Sequence, residues 1–240
     1  MTTQPELLPD DTSHALATTA VLAIDTETTG VDPATARLVQ LAAYAVQPDG
    51  TAEPVLATLV DAGVDIPAEA AAVHGITTEQ LAGAPTIREV VRSLHHLLYV
   101  TARLRVPWVA YNAPYDLGVL QAELGREALT LPVPLPPIID PLVLDRYVDR
   151  YRKGSRKLQD TARHYGLQLP DGLAWHDAQA DCLAAAHLAH ALLDASPELH
   201  PLTLPELHAV QQAAHQEWLA GYNRWRDGKG LEPITGGWPL

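Results

Sequence analysis

The chain has 240 residues, 47% of them hydrophobic, enough to bury one core with a small appendage. Its net charge of −13 argues against broad, non-specific attraction to nucleic acid or anionic membranes, so any polyanion would need local compensation. A single cysteine, Cys182, excludes an internal disulfide.

Residues 1–18 carry acids and prolines and read as a flexible tail. With no basic start and no long apolar run, neither a signal peptide nor a membrane span is expected, and the expected location is cytoplasmic. Val21 to Asp25 reads as a buried strand that breaks at Thr28, Thr29 and Gly30. RLVQLAAYAVQ (Arg37 to Gln47) is a second strand, and PDG turns it toward a third at Val55 to Asp61. Short, turn-bounded links predict an antiparallel meander. TIREVVRSLHHLLYV is an amphipathic helix with Ile87, Val90, Val91, Leu94, Leu97 and Leu98 as its apolar face. Pro107 to Asn112 is another strand, followed by a helix through PYDLGVLQAEL. The Pro-rich Leu131 to Pro137 is a rigid connector into the short strand IID. Further helices are predicted at about Pro141 to Arg150, Leu158 to Tyr165, Ala178 to Leu193 and Pro205 to Arg226. A meander followed by strand–helix units gives an α/β domain over residues 19–195, its mixed five-stranded sheet flanked by helices. Residues 196–240 add a C-terminal helical extension packed on that domain.

In VLAIDTETTG, Asp25 and Glu27 are two apart, so on a strand their carboxylates point the same way. Like charges that close repel unless something neutralises them. In YNAPYD, Asn112 is a suitable helix N-cap, and Asp116 lies four residues beyond it. HDAQAD repeats the arrangement with Asp177 as the cap and Asp181 in the first turn. His176 is five residues before Asp181, roughly 140° around a helix, so it must sit on the preceding loop to reach the same point. Asp25, Glu27, Asp116 and Asp181 form an all-oxygen set suited to hard ions such as Mg²⁺ or Mn²⁺. Two such ions about 4 Å apart would clamp the attacking and leaving oxygens of a phosphoryl transfer. His176 has the chemistry to deprotonate the water.

DTETTG, NAPYD and HDAQAD resemble, in order and spacing, the three motifs of the DEDDh 3′-to-5′ exonucleases, the family that holds the proofreading epsilon subunit of bacterial DNA polymerase III. Histidine five residues before the last aspartate matches the histidine branch rather than the tyrosine branch. The resemblance spans roughly Val21 to Leu193 and implies a ribonuclease-H-like fold, which makes 19–195 an exonuclease domain. It also implies hydrolysis of phosphodiesters from 3′ ends by two divalent ions, with release of nucleoside 5′-monophosphates. By the same carry-over Asp25, Glu27, Asp116 and Asp181 hold the metals and His176 is the general base. Glu69 and His74 in AEAAAVHGIT match a substrate-contacting pair, and Glu27 and Asp181 also touch the terminal nucleotide in such enzymes. Single-stranded DNA is the favoured substrate. The alternatives are an exoribonuclease, a proofreading subunit acting in complex with a polymerase or repair partner, and a binding module that has lost its chemistry. Five intact site residues argue against the last.

Two surface features remain. Arg146 to Arg163 holds seven of the chain's sixteen basic residues, Arg156 and Lys157 among them, and reads as a phosphate-tracking patch leading to the site. Trp218, Tyr222 and Trp225 fall at i, i+4 and i+7, a stripe expected to pack against the domain.

Overall fold

The structure is a computed structural model that describes residues 15–169 and 172–240; the expected tail lies, as far as residue 14, outside the described residues. β1 (Val21–Thr28), β2 (Leu38–Val46) and β3 (Ala52–Leu59) form the antiparallel meander. β4 (Trp108–Val109) and β5 (Ile138–Ile139) join parallel to β1, giving the mixed order β3-β2-β1-β4-β5. β1 stays paired three residues beyond the expected Asp25. Asp25 sits opposite Ala42 and Glu27 opposite Gln40, so both acids lie within the strand rather than at its end. Pro54, which cannot donate to a ladder, is tolerated because β3 is an edge strand and pairs with Tyr44 beside a register shift.

Strict alternation along β1 splits the core. Leu22 and Ile24 face one cluster with α2 (Ile87–Arg103) and α3 (Ala113–Arg126), and Val21 and Ala23 face another with α6 (Ala178–Asp194). α2 starts at a capping box of Thr86 and Glu89 and buries Val90, Val91, Leu94 and Leu98, four of its six expected face residues. On α6 the buried residues include Ala178, Ala180, Cys182, Ala185 and Ala189. Side chains this short let the helix lie close against β1 and β2, and its first turn comes up beside the acids.

α1 (Ala68–His74) carries no apolar stripe and is absent from the sequence reading; it closes at Gly75, whose φ of 73° is the left-handed conformation glycine adopts without cost. α4 (Pro141–Val148), α5 (Leu158–His164) and α7 (Leu204–Asp227) complete the helices. α7 lies against α4 and β5. There its side chains take the place of a neighbouring strand: Ile138 N donates to His208 Nδ1 at 3.1 Å, Gln211 Nε2 to the Ile138 carbonyl at 3.0 Å, and Asp140 N to Gln211 Oε1 at 2.7 Å. The Trp218–Tyr222–Trp225 stripe, expected to pack against the domain, meets it at Trp218, which lies under Arg146 of α4. Its rings stack on one another, and Trp225 is half exposed. Among the described residues no helix is long and apolar enough to cross a membrane.

Candidate active site

Asp25 and Glu27 continue the face of Val21 and Ala23, toward α6. Asp181, in the first turn of α6, completes a group whose carboxylate oxygens lie within 4.8 Å of one another. The helix start is fixed from two sides. Asp177 caps it by accepting from Gln179 N at 2.9 Å, as the sequence predicts, and Gln40 of β2 accepts from Ala178 N at 3.1 Å. Tyr44 of β2 donates to Gln179 Oε1 at 2.7 Å. Asp181 Oδ1 is buried without a hydrogen-bond partner among the described residues.

Burial and mutual repulsion push these carboxyls toward the protonated form. Burial, then Asp116, Asp181 and Glu27, raises Asp25 well above the usual range. Glu27 is pushed up to about 8 by burial and by Asp181 and Asp116. Asp181 rises to about 6 through burial, with His176 beside it working the other way. Ionising these carboxyls together would gather negative charge in one small pocket. Clustered oxygen donors, one of them orphaned, fit a hard divalent cation.

Asp116 stands slightly apart. It is buried in the first turn of α3, and Thr26, on the opposite face of β1 from Asp25, donates to its Oδ1 at 2.7 Å. It belongs to the same electrostatic cluster, rising to about 7 through burial that the Thr26 hydrogen bond opposes. It is not one of the three acids in closest contact. The expected cap also differs. Asn112 is left-handed, at φ 63°, and its side chain caps nothing. Asp140, at the end of β5, does the work instead: it accepts from Asn112 N at 2.9 Å, Ala113 N at 3.0 Å, Leu142 N at 3.0 Å and Trp238 Nε1 at 3.1 Å. One buried carboxylate thus starts both α3 and α4. A strand ending in Asp before Pro141 carries the sequence signature of a cap, but only for α4.

His176 is exposed on the loop before α6, at φ 66°, and lies close enough to Asp181 to lower its carboxyl, as loop placement requires. His74 closes α1 beside the Thr28 backbone. Its Nδ1 accepts from Ile76 N at 3.1 Å, which assigns the proton of the neutral ring to Nε2. Burial lowers its pKa, the Thr28 backbone opposing, and Nε2 is buried. Glu69 is exposed in the first turn of α1. Tyr115 steadies the turn after β1, its hydroxyl bonding the Gly30 carbonyl and Thr28 Oγ1.

Two arginines of the basic run, Arg152 and Arg156, turn inward, and this bears on the expectation for Arg156. Asp145 is fully buried. Arg152 grips it through Nε at 3.1 Å and Nη2 at 2.9 Å, and Arg156 bonds the same carboxylate and the Asp149 carbonyl. A guanidinium spent on a buried acid and on carbonyls has its donors committed before any phosphate arrives. Lys153 and Lys157 stay exposed.

The exonuclease family model RNase T matches residues 22–189. A DNA polymerase III subunit epsilon-like protein of Rhodobacter capsulatus is 35% identical over 176 residues, covering 71% of this chain and 23% of that protein. A PolC-type DNA polymerase III of Clostridium perfringens is 29% identical over 164 residues, covering 68% of this chain and 10% of that protein. The chain thus spans less than a quarter of the length of these curated relatives. Among solved structures, exonuclease X in complex with 5′ overhanging duplex DNA superposes with a TM-score of 0.59 at 24% identity, covering 80% of this chain and 99% of that one. E. coli exonuclease I in complex with a dA16 oligonucleotide gives a TM-score of 0.62 at 20% identity, covering 76% and 42%. These two likenesses are of fold.

Proposed function

Because the chain belongs to the RNase T exonuclease family, in its DEDDh branch with a ribonuclease-H-like fold, we propose that it removes nucleotides from the 3′ end of single-stranded DNA and releases nucleoside 5′-monophosphates. The observation that carries this reading is the meeting of Asp25, Glu27 and Asp181 within 4.8 Å. These three, with Asp116, would hold two divalent ions, Mg²⁺ or Mn²⁺. When bound, the ions supply positive charge that stabilises the charge developing on the reacting phosphate. His176 takes the proton of the attacking water on a ring nitrogen, its exposed loop position leaving room for the substrate end. His74 and Glu69, on the same short helix, would contact the terminal nucleotide. DNA is favoured over RNA because the fold neighbours named above were solved with DNA.

The test is a 5′-labelled single strand incubated with Mg²⁺ or Mn²⁺, beside a matched RNA. Stepwise shortening from the 3′ end, with 5′-monophosphates as products and arrest by chelator, is expected. Internal cuts as first products, or full activity in excess chelator, would overturn the reading, and faster RNA turnover would move the substrate to RNA. The epsilon-like relative favours one second reading, a proofreading subunit held by a polymerase. Copurification with a polymerase would support that reading.

A further inference from the structure

A cleft of about 530 Å³ runs between α4 and α7, lined by Arg146, Arg150, Tyr151, Trp218 and Tyr222 among others. Its chemistry differs from the rest of the surface. The chain carries −13 overall, yet the cleft holds three arginines and a single acid, Glu217.

The arginines are not equivalent. Arg156 is consumed by Asp145. Arg150 pairs with Glu217 at 2.8 Å, but both side chains are well exposed, and such pairs contribute little and exchange readily. Arg146 lies with its guanidinium 3.7 Å from the centre of the Trp218 ring; among the described residues no hydrogen bond or ion pair of it is seen, though the buried Asp140 and Asp145 attract it through space. A half-buried guanidinium holding five unspent donors is a site for an oxyanion.

The aromatic groups are arranged in advance. Trp218 and Tyr222 stack at 5.3 Å and 11°, and Tyr222 and Trp225 at 5.4 Å and 15°. The column is already ordered, so little side-chain freedom remains to be lost on binding. Trp225, at the end of the column and just beyond the residues that line the cleft, is 52% exposed, and Tyr151 across the cleft is 85% exposed with the Arg150 guanidinium 5.8 Å from its ring centre. Water-facing aromatic faces beside Arg146 and the loosely paired Arg150 are the makings of a platform for unpaired bases.

The cleft is tied to the carboxylate pocket. α4 carries Arg146 and starts at Asp140, the residue that caps the helix of Asp116. Tyr111, at the entry to that helix, donates to the Arg156 carbonyl.

We propose that the α4–α7 cleft is an accessory site for single-stranded nucleic acid, holding the strand upstream of its 3′ end with phosphates on Arg146 and Arg150 and bases stacked on Tyr151 and Trp225. The inference rests on the exonuclease reading for the identity of the strand. Its test does not require turnover. Fluorescein-labelled oligothymidylates of about 20 and about 4 nucleotides, the longer able to span both sites, are titrated in chelator against wild type, Arg146→Gln and the double variant Tyr151→Ala/Trp225→Ala. Tyr151 and Trp225 are exposed, so the double variant stays folded even if Arg146→Gln disturbs the stack. Each variant should bind the long strand about tenfold more weakly. Arg146→Gln should also flatten the log K against log salt line by about 0.7. Binding of the short strand, and its cleavage with Mg²⁺, should not change. Wild-type affinity for the long strand in both variants overturns the inference and leaves the cleft to a protein partner. If wild type cleaves neither strand, the catalytic reading fails instead, and the cleft is judged on long-strand binding alone.

Discussion

Glu27→Gln keeps the shape of the side chain and removes one charge from the carboxylate pocket. In the folded chain Glu27 holds its proton up to about 8, against an ordinary 4.5. The folded form therefore binds this proton more tightly than the unfolded form does. Stability that is complete below pH 4.5 is lost as pH rises from there through 8. Each pH unit in that window is worth about 1.4 kcal/mol, so at pH 7 the ionised side chain costs the fold about 3 kcal/mol. This is an upper figure, because the neighbouring acids share their protons. Removing the charge should stabilise the metal-free protein at pH 7 by up to that amount, or roughly 5–10 °C in Tm for a chain of this size. At pH 4.5 and below the difference should shrink toward zero. Divalent metal should reverse the order. Wild type gains about 2.7 kcal/mol from one site at a hundredfold excess over Kd, and the variant loses most of that gain. Urea melts at pH 4.5, 7 and 8, in chelator and in millimolar Mg²⁺, provide the readout. If the variant in chelator is no more stable than wild type at pH 8, the crowded-carboxylate account is wrong.

His176→Ala should lower turnover by about 10²–10⁴-fold while leaving the metal-induced rise in Tm intact; loss of that rise would make His176 a ligand rather than a base. Asp145→Ala strands two mostly buried guanidinium groups and should cost about 3–5 kcal/mol in denaturant melts, a loss that a solvent-facing basic patch would not show. Asp140→Ala orphans the starts of α3 and α4 together with Trp238 Nε1 and should cost at least about 3 kcal/mol, checked in the same way. Lys153→Gln and Lys157→Gln remove the exposed lysines of the run, and each that contacts phosphate should flatten the salt dependence of binding by about 0.7, whereas unchanged slopes would mark them as solvated surface.

What could be read from the sequence was what short-range periodicity encodes. Two residues per strand repeat is enough to aim Asp25 and Glu27 together, and a capping Asp177 is enough to set Asp181 in a first turn and His176 outside it. α2 was legible for the same reason, its apolar positions recurring at helical spacing. Most of the failures involve partners beyond the reach of local spacing. Asn112 has the composition of a cap, but Asp140, 28 residues later, supplies the acceptor. Arg156 belongs to a basic run, yet Asp145, 11 residues earlier, claims it across a loop that no helical spacing describes. Thr26 reads as an ordinary strand threonine until α3 brings Asp116 to it from 90 residues away. α1 is short, with no fully buried residue, so no hydrophobic repeat announces it; the glycine that ends it was the one usable signal. The aromatic stripe has core-like spacing, and only the packing of α7 against α4 shows that it faces a cleft.

The hydrogen bonds that α7 lends to β5 bear on how the protein can be handled. A sheet normally ends by exposing a ladder of donors and acceptors, which other chains use as a template for pairing. Here the margin is closed by an imidazole and an amide from a helix more than 60 residues downstream, which satisfy Ile138 and Asp140 without offering a further edge. A version shortened to residues 19–195 for expression or crystallisation would uncover that margin along with the β5 side of the core. It should be prone to self-association through β5 even where the carboxylate pocket is intact.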